Sequence, residues 1–134
     1  MKDFAGDCQK DVIRILCEND WIKSKHIQFF AQDSCALPFL IETELAKLDH
    51  LVAVVAIDRI EPEGDEAANI SASVIVTESV PMNRINPGFA TALQAAQHMG
   101  QILHSENYLC KSVDHEAIEG GVLVATVRLS TIFS

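Results

Sequence analysis

The chain reads as an α+β domain, a mainly antiparallel sheet of four or five strands packed against helices. Three observations predict it. A helical apolar stripe opens the chain, a continuous β-rich apolar run follows at Leu51–Ile60, and a strand–helix–hairpin pattern closes it from Val76 to Phe133. The element order is roughly ααββαββ, with one short additional strand near the start. No repeat, low-complexity run or linker interrupts the 134 residues, so they form one domain, 1–134, long enough to bury about two-thirds of the unfolded surface.

Residues 3–19 place Phe4, Cys8, Val12, Ile15 and Leu16 on one stripe, with Asp7, Lys10, Asp11, Arg14 and Glu18 opposite. That spacing is helical. His26–Ala31 reads as a short strand. Ser34 is placed to cap a second helix, in which Leu37, Leu40, Ile41, Leu45 and Leu48 share a face and Pro38 is tolerated in the first turn. Leu51–Ile60 is apolar on both faces, as a central strand must be. The acidic turn Glu61-Pro62-Glu63-Gly64-Asp65-Glu66 leads to Ile70–Val80. There Ile70, Ala72, Val74 and Val76 alternate with a small hydroxyl face, Ser71, Ser73, Thr77 and Ser79, which either faces water or meets a neighbouring subunit.

The last helix is expected over 87–106, with Asn86 as its cap, Pro87 in the first helical position, and Phe89, Ala92, Leu93, Ala96, Met99 and Leu103 inward. Ser112–Ile118, the turn Glu119-Gly120-Gly121 and Val122–Phe133 then form a hairpin.

Composition excludes more than it assigns. The formal charge of −9 comes from 19 acidic and 10 basic residues, and residues 1–66 hold 14 of the acids and 7 of the bases. Without clustered Lys and Arg, neither nucleic acid nor an anionic membrane surface is a suitable partner. The segment 85–105 has no charged residue, but Asn86, Pro87, Gly88, three glutamines and two histidines make it too polar for hydrocarbon. The four cysteines are dispersed, and the first residues contain no apolar secretion segment, so the expectation is reduced thiols and a cytoplasmic location.

No arrangement points to a catalytic, cofactor-binding or metal site. Asp114-His115-Glu116 is the densest polar triplet, but on a strand His115 faces away from its neighbours. His98 and His104 are separated by about 120° around a helix, too far to converge on one metal. No Gly-x-Ser-x-Gly elbow or phosphate-cradling glycine loop is present. Asp58 and Arg59 end the apolar run and either emerge into solvent, the favoured reading, or form an ion pair or face a partner.

One face does depart from an ordinary solvated surface. Gln94, Gln97, His98, Gln101 and Ser105 form the outer side of the last helix without a single Lys, Arg, Asp or Glu. Interface cores are depleted of charge, so this face is a candidate contact surface.

The same region carries a resemblance. A strand runs into Glu78-Ser79-Val80-Pro81-Met82-Asn83-Arg84. Asn86-Pro87-Gly88 precedes an Ala-rich helix, Thr91-Ala-Leu-Gln-Ala-Ala, reaching Leu103-His104, and the chain closes on Gly121-Val-Leu-Val-Ala-Thr-Val-Arg-Leu-Ser-Thr-Ile-Phe. This resembles the small tail-terminator and tail-completion (minor tail) proteins of tailed bacteriophages and prophages, over about the last two-thirds of the chain. The resemblance implies a structural, non-enzymatic virion protein. It would assemble as a homo-oligomeric ring, commonly of six subunits, in the bacterial cytoplasm and meet other virion proteins. Asn83 and Arg84 join the glutamine face as expected contact residues. The competing reading, from a different class, is a small acidic binding module similar to secretion chaperones, which act as dimers.

Overall fold

A computed structural model describes residues 3–33, 51–79, 91–118 and 122–134. The expected helix after Ser34, the break at Pro81–Gly88 and its contact residues Asn83 and Arg84, and the turn Glu119-Gly120-Gly121 lie outside the described residues.

Helix α1 (Phe4–Glu18) is followed by a short α2 (Asp20–Ser24), with Asn19 serving both. Its backbone N–H closes α1 on Leu16, and its side-chain oxygen accepts from the N–H of Ile22 to open α2. Cys8, Val12, Ile15 and Leu16 are buried, as the stripe predicts. On the outer side Arg14 pairs with Asp11 at 2.7 Å and with Glu18 at 3.4 Å.

Five strands form one sheet: β1 (Gln28–Asp33), β2 (Val52–Pro62), β3 (Ala68–Ser79), β4 (Leu109–Ile118) and β5 (Val122–Phe133), in the order β1-β2-β3-β5-β4. All pairings are antiparallel except β1 with β2. The architecture is α+β, as expected. The middle strand, however, is β3 and not Leu51–Ile60. The β4–β5 hairpin joins β3 through β5, leaving β2 one place nearer the opposite edge.

Residues 51–56 are nevertheless buried on both faces. Ala53 and Val55 join the main core, while Val52, Val54 and Ala56 form a second cluster with Ile75 on the reverse face. Beyond Ile57 a bulge breaks the register and β2 emerges into solvent.

Helix α3 spans Ala92–Ser105 and lies against β3, β4 and β5, with α1 beside it over β2. Its start corrects the expectation: Thr91, and not Asn86, is the cap. Thr91 Oγ1 accepts from Gln94 N–H at 3.1 Å, while Gln94 Oε1 accepts from Thr91 N–H at 3.0 Å. This reciprocal pair fixes the helix start five residues beyond Asn86. The Glu78 carboxylate at the end of β3, only 2% exposed, accepts from Ala92 N–H at 2.9 Å and faces the positive end of the helix.

Two of the four residues on the hydroxyl face of β3 meet neither expectation. Ser73 and Thr77 are buried. The Ser73 hydroxyl donates to Asp58 Oδ2 at 2.5 Å, and Thr77 donates to the Val52 carbonyl at 3.3 Å. Both tie β3 to β2 within one subunit.

Candidate interaction surface

The uncharged face of α3 divides into three parts. Gln94 is held in the capping pair, which explains an amide at this position without any partner. His98 turns to the other side, where its ring stacks on Trp21 of α2 with centroids 3.9 Å apart and planes 13° from parallel. Lys25, the residue that ends α2, places its Nζ 5.4 Å from the Trp21 ring centre. His98, half-buried, is therefore engaged in holding α2.

Gln97 and Gln101 remain, both exposed and one turn apart. They line a groove of about 710 Å³ with Gly100, His104, Cys110 and Val113, between α3 and the edge strand β4. Gly100 lines this groove close to Cys110. A Cβ there would lie 3.0 Å from Cys110 Sγ, so the helix approaches β4 as closely as a glycine permits. The sequence signal for Gly100 is an apolar helix face interrupted by glycine.

A second groove, of about 270 Å³, lies where the C-terminal turns of α1 and α3 meet. It contains Arg14, Glu18 and Glu106 among its walls and is already neutralised in part by the Arg14 pairs. Among the described residues no Lys, Arg, Asp or Glu lines the α3–β4 groove, although the exposed Lys111 follows Cys110 on β4.

Several other polar groups among the described residues are engaged in the fold. Tyr108 donates to Asp11 Oδ2 at 2.8 Å, and its oxygen lies 4.0 Å from Cys8 Sγ. Burial pushes the Cys8 thiol up to about 11, and burial together with the Asp11 hydrogen bond raises the Tyr108 phenol. A fully buried, protonated Cys8 offers no nucleophile.

On β4, Asp114 accepts from Arg128 Nε at 3.1 Å, and the register puts His115 on the opposite face from Asp114 and Glu116. Arg59 pairs with Glu61 at 2.9 Å on the exposed end of β2. Among the described residues no group of three or more His, Cys, Asp or Glu is placed to hold a metal ion. No helix among them is long and apolar enough to cross a membrane.

No protein-family model matches the sequence, and no curated protein matches it either.

Proposed function

We propose that this protein is a structural subunit of a tailed-phage or prophage particle. It acts in tail or head–tail assembly through ring-like self-association and has no catalytic role. Its partners are further copies of itself and other virion proteins, met in the cytoplasm of the bacterial host.

The observation that carries this reading is the uncharged α3–β4 groove in a chain of net charge −9. Two copies of so acidic a protein repel one another over most of their surfaces. Contact is least opposed where charge is absent, and Gln97 and Gln101 can hydrogen-bond across a boundary without the desolvation cost of buried ions. The resemblance of Val76–Phe133 to tail-terminator and tail-completion proteins supplies the biological setting.

Light scattering on purified protein, with negative-stain electron microscopy of the same sample, tests the proposal. The expected result is a closed ring of one dominant size. A discrete dimer instead favours the secretion-chaperone-like reading, and a monomer at high concentration contradicts self-association.

A further inference from the structure

We draw no further inference here: the strongest candidate, the groove between α3 and β4 that holds Gly100, His104 and Cys110, belongs to the contact surface already described, and nothing in the structure shows what covers it.

Discussion

Helices α1 and α3 lie side by side on one face of the sheet, have nearly equal lengths and bury comparable apolar stripes, yet their outer faces are opposites. α1 presents Asp7, Lys10, Arg14 and Glu18 to solvent, with Arg14 bridging to Asp11 and Glu18. The exposed face of α3 carries Gln94, Gln97, Gln101, His104 and Ser105. Identical demands from the core allow two different surfaces, so the outer residues carry information that the fold itself does not require. Charge on α1 suits water. Its absence on α3, beside an edge strand, suits contact with another chain.

The largest expected effects should not distinguish the helices at all. Leu16 on α1 and Leu103 on α3 are both fully buried. Leu16→Ala and Leu103→Ala should each cost about 2–5 kcal/mol through lost burial and a residual cavity. Denaturant unfolding checks this, and a markedly milder effect at Leu103 would mean that α3 is less firmly part of the core.

A pH dependence sharpens the α1 side. The Cys8 thiol is raised from 9.0 to about 11 in the folded chain. Between these values the unfolded chain loses the proton while the folded chain retains it, so stability is intact below pH 9 and falls as pH rises toward 11. The raised Tyr108 phenol acts in the same direction above its ordinary value. Unfolding midpoints measured across this window should decline, and Cys8→Ala should flatten the early part of the decline. A wild-type curve level from pH 9 to 11 would contradict the burial of the thiol.

Capping gives a smaller effect. Thr91→Ala removes one half of the reciprocal pair at the start of α3 and should cost about 1 kcal/mol in thermal unfolding. Gln94→Glu retains the acceptor and adds a negative charge at the positive end of the helix, so stability should be kept or slightly raised. A loss at Gln94→Glu as large as at Thr91→Ala would show that the amide matters for something other than capping. The smallest effect is expected at Arg14→Gln on α1, where exposed pairs contribute little and the melting temperature should barely move.

Local periodicity made much of this architecture legible. The apolar stripe of α1, the two-sided burial of residues 51–56 and the alternation from Ile70 to Val76 each follow from neighbours along the chain. Long-range links did not show. Nothing adjacent to Cys8 or Asp11 announces Tyr108, about a hundred residues away, and the parallel pairing of β1 with β2 depends on a crossover that periodicity does not describe.

The start of α3 departs from the expected cap for a different reason. Asn86-Pro87 is a good capping signal by itself, but Thr91 and Gln94 make the reciprocal pair at the start of α3, and Glu78 adds a carboxylate from another element. The contact face was legible only as a shortage of charge. Its separation into capping Gln94, anchoring His98 and exposed Gln97 and Gln101 needed the positions of Trp21 and β4.

The central claim is that the outer face of α3, and not that of α1, mediates association. Gln97→Glu with Gln101→Glu changes the net charge by −2, and Lys10→Glu on α1 changes it by the same amount. Light scattering on wild type and both variants, at one protein concentration and ionic strength, separates a local contact from general repulsion. The account predicts an oligomer for wild type and Lys10→Glu, and dissociation for the glutamine pair because like charges meet at every repeated contact. An oligomer that tolerates both glutamates, or one that Lys10→Glu disrupts equally, would contradict it.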